Sequence, residues 1–211
     1  MNQFEKALER YLTPCQLEKI RSVKIGIAGA GGLGSNCAHM LVRTGFKRFR
    51  IYDYDILDHS NLNRQFYFLD QTGTAKVAQL KDNLLRINPE AEIEVIAEKI
   101  VSENAQEVFA DCDIVVEAFD HPEYKKLIVE AYISSGKFLV AASGLAGWGN
   151  SDRIRVHKIK DNFYIVGDLK TGISKECPPL APCVHIAAAK QADLILTNVI
   201  GSCSGGLVNE T

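Results

Sequence analysis

Apolar and polar positions recur along the chain with two alternating periods, which predict strands and helices in turn. Runs that are period-two or continuously apolar predict parallel strands over 23–30, 48–55, 92–100, 113–120 and 138–144. Helical spacing, or a position between two of these runs, predicts helices over 35–46, 74–89, near 103–110 and near 122–136. This alternation predicts an α/β fold with a Rossmann-like, mostly parallel sheet and helices on both of its faces.

The pattern changes after the fifth strand. Two alternating runs over 152–168 are joined by a polar turn, which predicts an antiparallel hairpin that continues the sheet. A proline-rich loop follows, and the apolar run over 184–201 predicts a last helix. We expect a single domain over 1–211, with a helical N-terminal arm over 1–20 and a flexible tail over 202–211.

Composition narrows the classes of function. The 211 residues are 46% apolar, which suffices for one well-buried core, and the formal net charge of −2 gives no electrostatic case for nucleic-acid or membrane binding. The N-terminal stretch MNQFEKALERYL is polar and amphipathic, unlike a secretory signal, so we expect a cytoplasmic protein. The six cysteines show no pairing rhythm and are expected to be thiols.

A glycine-rich turn follows the first predicted strand. Residues 29–34, Gly-Ala-Gly-Gly-Leu-Gly, fit the pattern G-x-G-x-x-G between a strand and a helix. Gly29, Gly31, Gly32 and Gly34 would allow a tight turn and a close approach of backbone N–H groups to phosphates. Asp53, at the end of the second strand, holds the position of a carboxylate that binds ribose hydroxyls. A dinucleotide and ATP both fit these residues.

Polar residues crowd the chain just after Asp53. A hydride-transfer enzyme needs only the ribose carboxylate here, yet this chain adds Asp55, Ser60, Asn61, Asn63, Arg64, Gln65 and Lys76. Arg64 and Lys76 have no acidic neighbour in the immediate sequence and would bind a polyphosphate, Arg64 as a planar fork and Lys76 as a point charge. Asp120 ends the fourth strand at the same sheet edge, where a lone carboxylate among phosphates suits Mg²⁺. Together these groups favour attack on an ATP phosphate.

The combination of motifs resembles a known family. GAGGLGS, YDYDILDHSNLNRQF, TGTAKV, INPEAEIEV, EAFD and, later, PPLAPCVHIAAAKQAD are similar to the ThiF/MoeB family of sulfur-carrier adenylyltransferases, whose core the ubiquitin-activating enzymes share. The resemblance implies that the whole chain is a ThiF-like ATP-binding domain. It also implies that a small ubiquitin-like, ThiS-like carrier protein is the substrate. Its C-terminal glycine carboxylate would attack the α-phosphate of Mg·ATP, release pyrophosphate and form an acyl-adenylate for thiamine-type sulfur transfer from a sulfur donor protein.

The resemblance also assigns roles to residues. Asp53 would hold the ribose, while Asn61, Arg64 and Gln65 would contact phosphates. Lys76 would stabilise the α-phosphate in the transition state. Asp120 would be the ligand of Mg²⁺.

Three features of the chain bear on the details. Two Cys-x-x-Cys pairs that hold zinc in typical family members are missing from this sequence, so no zinc is expected. Cys177, in the proline-rich loop, corresponds to a thiol that some members link to the carrier. Family members pair as homodimers and supply an N-terminal arginine across the interface. Arg10 resembles that residue, and Arg21 is a rival.

Three other functions compete with carrier adenylylation. The first is ATP-dependent activation of a carboxylate on a modified tRNA base, against which the lack of a strongly basic sequence argues. An NAD-dependent oxidoreductase would leave Arg64, Lys76 and the Asn/Gln cluster unexplained. A nucleotide-binding module without turnover would not need the complete set of catalytic positions.

Overall fold

A computed structural model describes residues 2–202. Its single sheet has seven strands in the order β3-β2-β1-β4-β5-β7-β6. The strands are β1 Lys24–Ala28, β2 Arg48–Tyr52, β3 Glu92–Ile96, β4 Ile114–Glu117, β5 Phe138–Ala142, β6 Arg155–Lys160 and β7 Phe163–Gly167. Within the described part the α-helices are α1 Gln3–Leu8, α2 Pro14–Ser22, α3 Gly32–Arg43, α4 Lys76–Leu85, α5 Pro122–Tyr132 and α6 Ala181–Ile200. None of them is both long and apolar enough to span a bilayer.

The predicted fold class is confirmed. Strands β1 to β5 pair in parallel, and β6 and β7 form the predicted antiparallel hairpin. The hairpin joins the sheet through β7, which runs parallel to β5. All residues of β4 and β5 are buried, as expected for central strands covered on both faces. Helices α3 and α6 cover one face, and α5 covers the other.

One predicted helix is wrong. Residues near 103–110 form successive turns in which backbone N–H groups donate three or four residues back, instead of a regular helix. Ala105, Val108 and Phe109 of this stretch are nevertheless buried in the core beside α5. The parallel strands also end two to four residues earlier than predicted, and the residues just beyond them form the functional edge described below.

The N-terminal arm contains α1 and α2. Thr13 caps α2 through a capping box with Gln16, and Pro14 occupies its first turn. Glu5 of α1 is buried and lies 2.8 Å from the ammonium of Lys47, the residue before β2. The arm therefore packs at the amino-terminal edge of the sheet. Of the predicted tail over 202–211, all but the first residue lies outside the described residues.

Candidate nucleotide-binding site

The glycine turn has two kinds of glycine. Gly29 has φ of +104°, and Gly34 packs so tightly that a Cβ there would lie 1.8 Å from the carbonyl oxygen of Gly29. These two shape the turn and hold α3 against β1. A Cβ on Gly31, in contrast, would meet nothing closer than the Gln65 amide nitrogen at 3.7 Å. The surface beside Gly31 is therefore open to a ligand.

Asp53 supports this turn directly. Its side chain is 8% exposed. One carboxylate oxygen accepts a hydrogen bond of 2.6 Å from the Ala30 amide, and the other accepts one of 2.8 Å from the Asp55 amide. Burial raises the pKa of Asp53, and these two backbone hydrogen bonds oppose the rise. Because each carboxylate oxygen has a second lone pair, Asp53 retains capacity to accept hydroxyl groups of a ligand.

Lys76 has an acidic partner that the local sequence did not reveal. Its ammonium lies 2.6 Å from the carboxylate of Asp55, 21 residues earlier in the chain. Lys76 is 6% exposed, and its backbone amide donates to the Asp55 carbonyl oxygen. The two residues are joined again through the isolated bridge between Ile56 and Ala75. An ammonium has three donors, so the pair fixes the position of Lys76 while leaving donors for a ligand.

Arg64 and Gln65 lie on the segment that leads from Asp55 to Lys76. Arg64 donates to the carbonyl oxygen of Ser60 and, at 2.7 Å, to the side chain of Asn63. Burial lowers the pKa of Arg64, and the charge of Asp120 opposes this effect. Gln65 is 8% exposed, and its side-chain oxygen has no hydrogen-bond partner within residues 2–202. A buried unsatisfied acceptor of this kind is costly unless a ligand or water satisfies it.

These residues surround one cavity of about 630 Å³ at the carboxyl ends of the parallel strands. Ligands bind at this edge in open α/β sheets. Of the predicted nucleotide-binding residues, all except Gly34 line the cavity: Gly29, Gly31, Gly32, Asp53, Asp55, Asn61, Arg64, Gln65 and Lys76. The predicted magnesium ligand, Asp120, lines it too, with a side chain that is 72% exposed. Among residues 2–202 no group of three His, Cys, Asp or Glu side chains is placed to hold a metal by itself.

Cys177 and Arg10 do not line the cavity. Cys177 is half-buried next to Gly147, where an added Cβ would lie 2.6 Å from its sulfur. The Gly147 amide donates to the carbonyl oxygen of Pro178, and the next residue, Pro179, is part of the cavity wall. Arg10 is exposed and follows α1, which packs at the opposite edge of the sheet. Within one chain, Cys177 is adjacent to the site and Arg10 is remote from it.

A buried ion pair under the cavity was missed by the sequence reasoning. Glu117, the last residue of β4, is 1% exposed, and the Lys125 ammonium lies 3.2 and 3.3 Å from its two carboxylate oxygens. Lys125 also donates to the Ala142 carbonyl oxygen at 2.9 Å and lines the cavity. Burial raises the pKa of Glu117, and Lys125 opposes the rise. A glutamate ending a fully apolar strand was the only sequence signal for this pair.

A second network fixes the wall formed after β5 and β7. The Asp168 carboxylate accepts from the side chains of Arg153 and Thr171 and, at 2.8 Å, from the amides of Lys170 and Thr171. Arg153 also donates to the carbonyl oxygen of Ala146. Burial alone would raise the pKa of Asp168, but the hydrogen bonds from Thr171, Lys170 and Arg153 outweigh it and hold that pKa well below its usual range. Ala146 and Thr171 both line the cavity, so the network holds its wall in place.

Comparison with known proteins agrees with this geometry. The model of the ThiF family matches residues 6–209. The chain belongs to the ThiF family. It is 32% identical over 189 residues to the adenylyltransferase and sulfurtransferase UBA4 of Candida glabrata, which covers 87% of this chain and 44% of that protein. It is 39% identical over 89 residues to ubiquitin-like modifier-activating enzyme 5 of Caenorhabditis elegans, covering 42% of this chain and 21% of the relative. The chain thus spans less than half the length of these curated relatives.

Solved structures share the fold of this family member. The E. coli tRNA N6-threonylcarbamoyladenosine dehydratase TcdA, in complex with AMP, superimposes with a TM-score of 0.83 at 19% identity, covering 92% of this chain and 93% of that one. E. coli MccB with ATP has a TM-score of 0.65 at 23% identity, covering 88% and 57%. The predicted family is confirmed, and the predicted enzyme class, an adenylyltransferase, agrees with the name of the fungal relative.

Proposed function

We propose that the protein is an ATP-dependent adenylyltransferase that activates the C-terminal glycine carboxylate of a ubiquitin-like sulfur carrier protein. The observation that carries this proposal is the single cavity in which a glycine turn, a ribose-type carboxylate, Arg64, Lys76 and Asp120 converge. Family membership and the names of the fungal and nematode relatives support the reaction class and the kind of partner. Structures of similar fold in complex with AMP and ATP support the nucleotide.

The residues present fit ATP as a substrate. The open surface at Gly31 and the amino terminus of α3 would accept phosphates, because unpaired N–H groups there attract anions. Asp53 would accept hydrogen bonds from the ribose hydroxyls. The unsatisfied side-chain oxygen of Gln65 is an acceptor that a ligand hydroxyl or a water on the phosphates would satisfy. The half-buried Arg64 and the fixed ammonium of Lys76 would balance phosphate charge.

In the proposed reaction, a carboxylate oxygen of the carrier attacks the α-phosphorus of ATP, and the bond from that phosphorus to the bridging oxygen of pyrophosphate breaks. The products are an acyl-adenylate and pyrophosphate. Lys76 would stabilise the charge that develops on the α-phosphate oxygens, and Asp55 would hold the ammonium in position. Asp120 would hold Mg²⁺, which supplies charge neutralisation on the phosphate oxygens.

The later steps involve residues and partners outside the cavity. A nucleophilic sulfur of a donor protein would attack the carbonyl carbon of the acyl-adenylate and AMP would leave, in thiamine-type or related sulfur metabolism. The thiol of Cys177, close to the wall at Pro179, would lose its proton, attack the same carbonyl carbon and expel AMP, which links it to the carrier as a thioester. A Cys177→Ser variant that keeps full sulfur-transfer activity would contradict this role. A homodimer would allow Arg10 to reach the cavity of the partner subunit, since it cannot reach that of its own chain. We also propose a cytoplasmic location.

The test is carrier-dependent exchange between labelled pyrophosphate and ATP. Purified protein is incubated with Mg·ATP, labelled pyrophosphate and a ThiS-like carrier that ends in Gly-Gly, and label in ATP is measured. The matched control is the same carrier without its terminal glycine. Exchange that requires the terminal glycine is expected. Binding of ATP without exchange would contradict a carrier substrate and keep the nucleotide.

A second candidate is activation of a carboxylate on a modified tRNA base, in a dehydratase reaction. Its support is the likeness in fold to TcdA, of which this chain covers 93%. The net charge of −2 argues against an RNA substrate. Substituting tRNA for the carrier in the same assay tests it: tRNA-dependent release of AMP or ADP, with no carrier-dependent exchange, would favour this candidate over the first.

A further inference from the structure

The buried side chain of Tyr67 connects two parts of the candidate site that come from different segments of the chain. Tyr67 is 7% exposed and does not line the cavity. Its hydroxyl oxygen lies 2.7 Å from the carbonyl oxygen of Ala30, in the glycine turn, and 3.2 Å from that of Lys76, at the start of α4. The proposed function assigns no role to Tyr67, although it contacts the backbone of both elements that would bind phosphate.

The contacts of Tyr67 complete a closed network of hydrogen bonds. Asp53 accepts from the amides of Ala30 and Asp55. Asp55 accepts from the amide of Lys76 through its carbonyl oxygen and from the ammonium through its carboxylate. The Tyr67 hydroxyl then joins the carbonyl oxygen of Lys76 to that of Ala30, where the network began. Each of the five residues therefore has hydrogen bonds to two of the others.

Tyrosine suits this position because its phenol can donate a hydrogen bond from within the hydrophobic core. Burial raises the pKa of Tyr67 well above its usual value, and the charges of Asp53 and Asp55 raise it further. The hydroxyl therefore stays protonated and can donate to carbonyl oxygens, which have no hydrogen of their own. A phenylalanine would fill the same space but would leave the network open between the glycine turn and α4.

The closed network sets the separation of the two groups that would act on the phosphates of ATP. Ala30 lies beside Gly31, where the surface is open to a ligand, and Lys76 supplies the ammonium that would stabilise the α-phosphate. Asp53 and Asp55 connect these two elements on one side, and Tyr67 connects them on the other. A shift of the turn without α4 would therefore break a hydrogen bond. The position of the ammonium matters because preorganised charge is effective only where transition-state charge develops.

We propose that Tyr67 is a positioning residue for adenylylation, because its hydroxyl fixes the Lys76 ammonium relative to the glycine turn. The inference rests on the proposed function, since it assumes that the phosphates of ATP bind between these two elements. Tyr67 does not line the cavity and acts only through Lys76 and Ala30. Removing its hydroxyl should therefore lower the rate of the chemical step more than it lowers the affinity for ATP.

The test is Tyr67→Phe, which removes the hydroxyl and keeps the aromatic side chain in the core. The maximum rate of carrier-dependent pyrophosphate exchange should fall about 10-fold or more, while the KM for ATP changes little. The matched control is Tyr132→Phe, because Tyr132 is also buried and its hydroxyl accepts from the Phe109 amide away from the cavity. Urea denaturation should show a similar loss of stability in both variants, since each loses a buried hydroxyl. Tyr132→Phe should nevertheless exchange at the wild-type rate.

A double variant tests whether Tyr67 acts through Lys76. In a Lys76→Met background the ammonium is absent, so adding Tyr67→Phe should cause little further loss of exchange, whereas independent roles would multiply the two losses. Exchange at the wild-type rate in Tyr67→Phe, an equal loss in Tyr132→Phe, or multiplied losses in the double variant would overturn the inference alone. A wild-type protein without carrier-dependent exchange would overturn the proposed function and this inference with it.

Discussion

Replacing Lys76 with methionine removes a charge from the cavity while keeping most of the buried side-chain stem. The ammonium lies 2.6 Å from Asp55, whose own side chain is 48% exposed. After Lys76→Met, water can therefore solvate the unpaired carboxylate. An ion pair with one well-solvated partner contributes about 1 kcal/mol or less, so the free energy of unfolding should change by no more than that. The Lys76 side chain is 7% exposed in the wild type, so the methionine that replaces it remains packed in the variant.

The effect on the reaction should be much larger than the effect on stability. Removing one preorganised donor from developing charge typically lowers kcat by about 10²–10³-fold, which corresponds to roughly 2.7–4 kcal/mol of transition-state stabilisation. Because Lys76 would act mainly in the transition state, kcat should fall while the KM for ATP changes little. The maximum rate of carrier-dependent pyrophosphate exchange at saturating ATP reports the loss in the adenylylation step, and urea denaturation measures stability.

Lys81→Met is the matched control. Lys81 belongs to the same helix as Lys76 but does not line the cavity, so its loss should leave exchange unchanged. Exchange at the wild-type rate by a folded Lys76→Met protein would refute the role of Lys76. A fall in stability of several kcal/mol in that variant would instead refute our account of the Asp55 pair.

Three further predictions concern the turn and the buried charges. Gly34→Ala should lower stability by about 1–3 kcal/mol or more through its 1.8 Å clash with the turn carbonyl, whereas Gly31→Ala should fold normally and lose ATP affinity, as thermal melts and calorimetry would show. The pKa of Asp168 is lowered in the folded protein, so its carboxylate should stabilise the fold above its unfolded pKa of about 3.9, and this stabilisation should be lost as the pH falls below that value. Urea denaturation at several pH values should therefore show that acid lowers the free energy of unfolding less in Asp168→Asn than in the wild type. Lys125→Met should cost roughly 3–5 kcal/mol by leaving the Glu117 carboxylate buried and unpaired, and adding Glu117→Gln should recover much of that loss.

Each of these has a clear contrary result. A Gly34→Ala protein as stable as the wild type, or a Gly31→Ala protein with normal ATP affinity, would reverse the assignment of the two glycines. An acid loss of the same size in Asp168→Asn would place the stabilising carboxylate elsewhere. Additive losses in the Lys125→Met and Glu117→Gln double variant would show that the two side chains are not coupled.

The sequence predicted which residues form strands better than it predicted which strands pair with each other. Continuous apolar runs identified the central strands, since a strand that is buried on both faces is apolar at successive positions. The alternation of apolar and polar residues did not reveal that β7 would pair in parallel with β5, because alternation identifies a strand but does not indicate which strand lies next to it. The helix predicted near 103–110 was wrong, because the backbone there forms separate turns even though several of its apolar side chains are buried.

In the candidate site, too, the residue types could be predicted from the sequence, whereas their contacts could not. Gly31, Arg64 and Lys76 could be predicted because a phosphate demands backbone N–H groups and cations near a strand end. The Asp55–Lys76 pair could not, since it depends on how a 21-residue excursion folds back. Tyr54 and Phe119 were overlooked because an aromatic residue next to a strand is usually a buried core residue. Only the fold shows that both rings face a cavity.

Helix α6 completes the cavity wall, and it is synthesised after the residues that would bind phosphate. Val184 of this helix is part of the cavity wall, His185 approaches the carbonyl oxygen of Arg64 at 3.2 Å, and the Gln191 amide donates to the carbonyl oxygen of Glu117. On the ribosome the glycine turn, Arg64 and Lys76 emerge long before this helix does. A nascent chain can thus form its phosphate-binding segment early, yet it has no finished pocket until α6 is released and packs on α3. Nucleotide would then favour chains in which α6 has packed over chains in which it has not, and its presence during translation would stabilise the docking of this helix.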